Sequence, residues 1–415
     1  MSIIGKKSEL MSQINMAIIG CGLISHRHAA GLKLMHGKGV RKINVPAVCS
    51  RTIQKAQGLA DEIGKFQGKK PTVYADYEAM LEEETGLDSV DICTDHRSHH
   101  DIAVACMDAG KHAIVEKPLG ITMRACRLMN EAAKRNHRVL ATAENLRRAA
   151  LNRAIKWAID QGMIGEPRFT VWQELTYDLG IVDGTPWRHD KFTAGGGWVL
   201  DVGSHLGDLL IHNLGEMDEV YATVKALEMV RYLDWPGKEK PVDCTVEDTS
   251  MAVFKFKNGV LGQWNWAKSA PGEGLLHRAI YGTKGSVDWQ HGLEVTAADG
   301  SGYKVVELAK LTDMMLSGLS EESREKFFPK GLGSEYKATF WGGDPSHAVE
   351  LLDFADAILE GGKPEVDGVL GAKAMAVPMA IFESSFVGKP VKIRDIENCI
   401  VENYQKEINE KLGIK

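Results

Sequence analysis

Ile14-Asn15-Met16-Ala17-Ile18-Ile19-Gly20-Cys21-Gly22-Leu23-Ile24-Ser25 is the stretch that decides the fold. Its apolar half reads as a buried strand that stops at Gly20. Gly20 permits a tight turn there. Gly22 lets the backbone approach a pyrophosphate resting on the N-terminus of a following helix, where unpaired N–H groups and the helix dipole favour an anion. Ser25 stands where a third glycine often sits, and its small side chain still allows close helix–strand packing. The spacing therefore predicts a dinucleotide site that uses Gly20, Cys21, Gly22, Leu23 and Ile24.

Working outward, short β-branched runs alternate with helical patterns, as in βαβ units on a parallel sheet. Strands are expected at 45–49, 89–93, 112–115 and 139–143, with helices at 54–63 and 123–136. Between the second and third of those strands, Ile102, Ala105, Cys106 and Ala109 fall on one helical stripe that Gly110 closes. A doubly wound domain thus spans 1–143, with 1–13 as an N-terminal extension. From Glu144 the rhythm changes. After a helix near 149–161 come extended runs at 167–175, 219–227, 249–257, 260–267 and 275–281, separated by hairpin-like glycine turns. Residues 144–415 are therefore expected to form an α+β domain on a large, open, mostly antiparallel sheet that binds substrate and oligomerises. Asp344-Pro345 should start a late helix that stops at Gly361-Gly362. Its apolar residues are expected to be core. The glycine-rich segment 310–345 reads as irregular: a lid, an oligomer contact or a surface insertion.

Bulk properties narrow the function classes. A chain of 415 residues needs more than one core, and 44% apolar with 26% charged residues is ordinary for a globular protein. A formal charge of −6 argues against nucleic acid or an anionic membrane as the main partner. No run reaches the roughly 20 consecutive apolar residues of a membrane span, and Met1 to Gln13 lacks a signal-peptide core. The seven cysteines are odd in number and form no CxxC pair, which fits a reducing cytoplasm.

Three further features carry chemistry. At the end of the second strand, where an acidic residue commonly holds a ribose 2′-hydroxyl, the chain has Ser50-Arg51. Arg51 can pair with a 2′-phosphate, which leans toward NADP, while Ser50 alone suits NAD. Glu116-Lys117-Pro118 ends another strand, so Lys117 should stand in the ligand crevice, where a cation can stabilise an alkoxide. Finally, Gly195-Gly196-Gly197-Trp198 leads to Asp201 and His205, which are i and i+4 on one helix face. That spacing suggests a carboxylate orienting an imidazole that takes a hydroxyl proton.

Together these motifs, with Gly110-Lys111-His112, Trp187-Arg188 and a tail from His347 to Ser384, resemble the glucose–fructose oxidoreductase/inositol dehydrogenase (Gfo/Idh/MocA) family. The resemblance implies an NAD- or NADP-dependent enzyme that moves a hydride to or from a hydroxyl carbon of a sugar, polyol or glycoside. It implies Lys117, Asp201 and His205 as the catalytic set, with Trp187 beside them at the substrate. It places Thr94, His96, His99, Glu116, Asn145 and Arg188 on the cofactor side, and no metal. Two departures, bulky Trp198 after the glycines and Glu144-Asn145-Leu146-Arg147-Arg148 at the second domain's start, leave the substrate open.

Other constellations have blander readings. His96, His99 and His100 beside Asp95 and Asp101 lack the spacing of a metal site. His26 and His28 read as helix-surface residues. Trp172, Tyr177, Trp187, Trp198 and His189 suit either a sugar face or sheet packing. Two alternatives to a dehydrogenase stay open: a glycosidase acting by transient oxidation and elimination, and a cofactor-binding regulator without turnover. An open sheet face calls for cover, so a homodimer or homotetramer is expected.

Overall fold

A computed structural model describes residues 12–296 and 300–415. Most of the expected N-terminal extension, residues 1–11, lies outside the described residues. The first sheet is wholly parallel and has seven strands. Ile14–Ile19 lies at its centre between Ala47–Cys49 and Ser89–Ile92. His112–Glu116 and Leu140–Ala143 continue it on one side and Thr72–Tyr74 on the other. Pro46 lacks the N–H a ladder needs, so the strand expected at 45–49 begins only at Ala47, and a separate short strand, Ile43–Asn44, precedes it. The order reverses beside Ile14–Ile19, and the glycine turn and the end of Ser89–Ile92 meet there, the usual ligand crevice of such sheets.

The second sheet has nine strands, and Pro167–Leu175 lies near its middle. Its pairings are antiparallel except that between Pro167–Leu175 and Leu261–Ala267, which is parallel. Along Thr249–Phe256 burial alternates, so Met251 and Val253 face outward while Ala252, Phe254 and Phe256 face the core. Helices Gly203–Leu214 and Gly368–Val387 cover the inner face. Gly368–Val387 is long and apolar enough to cross a membrane by composition, yet most of it is buried in this core.

The late helix Asp344–Leu359 returns to the first sheet and packs on Leu23–Gly37. A Cβ on Gly31 would lie 2.8 Å from the Ala348 nitrogen, so glycine sets how closely the two helices approach. The segment expected to be irregular instead contains helices Leu308–Gly318 and Glu321–Phe327.

Candidate active site

The glycine turn is built as its spacing required. Gly20 has φ +96°, and a Cβ there would sit 2.5 Å from the Cys93 carbonyl. Gly22 precedes the helix Leu23–Gly37, whose first turn has no side-chain cap, and nothing lies within 4 Å of a Cβ built on it. The helix N-terminus therefore faces open space with uncommitted N–H groups, which fits a pyrophosphate. Ser25 is fully buried and donates to the Gly22 carbonyl at 2.7 Å, taking the place of the third glycine. Cys21 turns inward to the Cys49 carbonyl, and burial pushes its thiol up to about 12, so it stays neutral. Leu23 is exposed at the mouth of the turn and Ile24 half-buried behind it.

Ser50 accepts the Thr52 N–H at 3.2 Å. Arg51 is exposed and its guanidinium reaches Asp95 at 3.2 Å. Thr94 stands directly behind Gly20. His99 bonds the Pro118 carbonyl through Nδ1 at 2.9 Å, while its buried Nε2 has no protein partner. Such an orphaned ring nitrogen is a second feature that fits a bound cofactor.

The strand His112–Glu116 delivers Lys117 into the crevice, and the Lys117–Pro118 peptide is cis. The Lys117 ammonium lies 2.6 Å from Asp201 Oδ1 and 3.0 Å from the Asp201 carbonyl. Arg188 Nη1 meets the other carboxylate oxygen at 2.6 Å. Burial opposes ionisation of Asp201, but the charges of Lys117 and Arg188 hold its carboxyl well below the usual range. His96 Nε2 lies 3.9 Å from Asp201, and burial keeps its own ring well below its ordinary value and so neutral, despite that carboxylate. Trp187 meets His96 edge-on at 4.8 Å and lies under the Arg188 guanidinium.

The triple glycine sets Asp201 in place. Gly195 takes φ +85°, and a Cβ on Gly196 would strike the Phe382 ring at 2.6 Å. The Glu247 carboxylate then accepts the N–H groups of Gly197 and Val199, each at 2.8 Å, and caps the short helix Trp198–Asp201. Glu247 lies fifty residues away in the chain, and its sequence context gives no sign of this role.

Two expectations are corrected. Asp201 does not orient His205, because both its oxygens are committed to Lys117 and Arg188. His205 Nδ1 instead bonds Glu144, at the end of Leu140–Ala143. His28 is not a surface residue: it is fully buried, with Nδ1 on Asp91 at 2.8 Å and Nε2 on Glu116 at 3.0 Å. The return of Asp344–Leu359 onto its helix covers it. Glu116 accordingly points inward, with its second oxygen on the Lys117 peptide N–H at 3.0 Å. Asn145, expected at the cofactor, donates to the Trp341 carbonyl and Ser346 Oγ.

Beside His205 the wall is aromatic. Trp341, from the segment before the late helix, meets its ring at 6.1 Å, and Phe340 packs on Trp172 and Arg278. Trp198 stacks on Trp266 with the Lys268 ammonium 5.1 Å from its ring. Tyr177 packs against Trp235, outside this wall. Metal-like spacing occurs around His28, with Asp91 and Cys93 or with His347 and Glu350, rather than at His96, His99 and His100.

Residues 14–144 match the family described as "Oxidoreductase family, NAD-binding Rossmann fold", and residues 152–288 match the GFO/IDH/MocA C-terminal domain. The chain belongs to this family of NAD-binding oxidoreductases. It is 27% identical to levoglucosan dehydrogenase of Pseudarthrobacter phenanthrenivorans over 90% of this chain and 97% of that one. It is 24% identical to myo-inositol 2-dehydrogenase of Thermotoga maritima, over 92% of this chain and 99% of that one. Among solved structures, levoglucosan dehydrogenase in complex with NADH and L-sorbose superposes with a TM-score of 0.72 at 23% identity, covering 92% of this chain and all of that one. An oxidoreductase from Agrobacterium radiobacter in complex with NAD+, L-tartaric acid and magnesium gives 0.69 at 21% identity, covering 92% and 99%. At these identities the structural likeness is one of fold.

Proposed function

We propose that this protein is a dehydrogenase of sugars, polyols or glycosides, with Lys117, Asp201 and His205 as its catalytic set. The observation that carries this reading is the Lys117–Asp201 contact at the strand ends, with Arg188 closing its other side. An ammonium has three N–H donors, and Asp201 takes two of them, which leaves one for a substrate oxygen. That donor stabilises the negative charge growing on the oxygen as its proton leaves. His205, with Nδ1 held by Glu144, offers Nε2 to take the proton. Asp201 holds the Lys117 ammonium in place rather than aligning His205. When bound, a nicotinamide supplies the hydride acceptor. Gly22 and the helix behind it would hold its pyrophosphate, and His96 and His99 would line the nicotinamide side.

Sugar-like substrates are supported by the relatives, which include a D-glucoside 3-dehydrogenase of Escherichia coli, 26% identical over 61% of this chain and 70% of that one. The aromatic wall of Trp172, Phe340 and Trp341 suits the C–H face of a pyranose. Arg51 supports use of NADP, since it is exposed beside the open end of the crevice, whereas its bond to Asp95 favours NAD. The outward apolar face of the second sheet, with Phe169, Tyr221, Val253 and Leu261 exposed, supports a homodimer or homotetramer. The cysteines support a cytoplasmic location. Levoglucosan, myo-inositol, D-glucose and methyl β-D-glucoside, each tested with NAD and NADP for reduced nicotinamide, check this reading. Turnover of at least one supports it. Silence across the panel, or product formed without net reduced cofactor, refutes it.

A further inference from the structure

A buried ionic cluster beneath Lys117 has no part in the chemistry described above. His28, on the inner side of Leu23–Gly37, bonds two carboxylates at once: Asp91 through Nδ1 at 2.8 Å and Glu116 through Nε2 at 3.0 Å. All three side chains are buried. A neutral imidazole has one N–H and cannot donate to both, whereas an imidazolium can. Glu350, from Asp344–Leu359, stands 3.5 Å from the same Nε2. Glu116 divides its carboxylate between His28 and the Lys117 peptide N–H. One ring thus joins the helix that faces the pyrophosphate to the backbone of the proposed catalytic lysine.

We infer that His28 is a positioning residue: as an imidazolium bridging Asp91 and Glu116, it fixes the carboxylate that holds the Lys117 backbone. The inference rests on the reading of Lys117 as the group that meets the reacting oxygen. Burial alone would neutralise His28, but Asp91 raises its basicity well above the ordinary value. The Cys93 thiol, 3.6 Å from Nδ1, is pushed up by burial and stays protonated, which suits a packed neighbour better than a metal ligand. Glu116 is held down to about 2: burial opposes this, and His28, Lys117 and His347 outweigh it. Cys93 and His99 also lie within reach of the Glu116 charge.

His28→Gln removes the cation while keeping one hydrogen-bonding amide. With His28 gone, burial drives Glu116 upward, and it takes up a proton in the assay range. The expected result is a fall in kcat of at least about tenfold, with substrate KM and NAD affinity within about threefold. A new acidic limb should appear in the kcat profile between about pH 5 and 8, and His28→Gln combined with Glu116→Gln should abolish that limb. Wild-type kcat in folded His28→Gln, or equal losses of kcat and NAD affinity, would overturn the inference. Lys117→Met separates the two readings: if it is inactive while His28→Gln is normal, only the present inference falls, and if it stays active, the Lys117 reading itself fails. A substrate-free measurement covers failure of the variant to fold. In 15N-histidine NMR of the wild-type protein, one of the fourteen histidines must stay doubly protonated at pH values where an ordinary imidazole is already neutral. A spectrum in which every ring is neutral there overturns the proposal.

Discussion

His205 is bonded through Nδ1 to Glu144, sixty-one residues earlier in the chain, while Asp201, one helical turn before it, is bound to Lys117 and Arg188. The two proposed catalytic groups therefore have separate anions. Glu144 sets the tautomer and direction of the imidazole, and Asp201 sets the ammonium. Asp201 ends the short helix Trp198–Asp201 and His205 lies in the first turn of the next one, Gly203–Leu214. The expected single helix is thus broken at Val202, and the junction brings both residues to one cleft without pairing them.

This division predicts different losses. Glu144→Gln should lower kcat by about 10- to 100-fold, with partial recovery in Glu144→Asp and unchanged NAD affinity. Asp201→Asn should cost more, because it releases both Lys117 and Arg188. Steady-state kinetics and cofactor titration of the three variants check this.

The two glycines of the turn should fail in different ways. Gly20→Ala forces a side chain onto the Cys93 carbonyl at a positive φ, so thermal unfolding should show a loss on the order of 2–4 kcal/mol. Gly22→Val meets no neighbour and has an ordinary φ of −92°. Its Tm should stay within about 2 °C while the Kd for NAD rises at least about tenfold.

Glu116 gives a pH signature of stability. Its folded value, about 2, lies below its ordinary 4.5, so its contribution is complete above the higher value and is lost as pH falls toward the lower. The Tm of Glu116→Gln should start lower at neutral pH and fall less steeply than wild type between about pH 5 and 3. Calorimetry across that range measures it.

Five of the seven strands of the first sheet were legible because each carries its own apolar run, and two of them end on turns that the chemistry marks, at Gly20 and Lys117. The short Ile43–Asn44 and the poorly buried Thr72–Tyr74 were not. The open second sheet was legible as strands but not as an order. The parallel pairing of Pro167–Leu175 with Leu261–Ala267 joins segments about ninety residues apart, and no local signal encodes it. Glu144 and Glu247 were missed as site residues for the same reason: their partners lie 61 and 50 residues away. His28 was misread because its burial depends on a helix more than three hundred residues later. The helices at Leu308–Gly318 and Glu321–Phe327 were hidden among glycines that reflect the turns around them.

Trp341 tests the role of that segment. It is 46% exposed and stands edge-on to His205, so Trp341→Ala should raise substrate KM about tenfold and leave kcat within about threefold. A loss confined to kcat would place the residue elsewhere in the cycle.

The most direct test of the account is Lys117→Met, assayed with the best substrate of the sugar panel alongside NAD binding. The account predicts NAD affinity within about threefold of wild type and a fall in kcat of about a thousandfold or more. Turnover within about tenfold of wild type would contradict it, because the oxygen of the reacting carbon would then need no cation at that position.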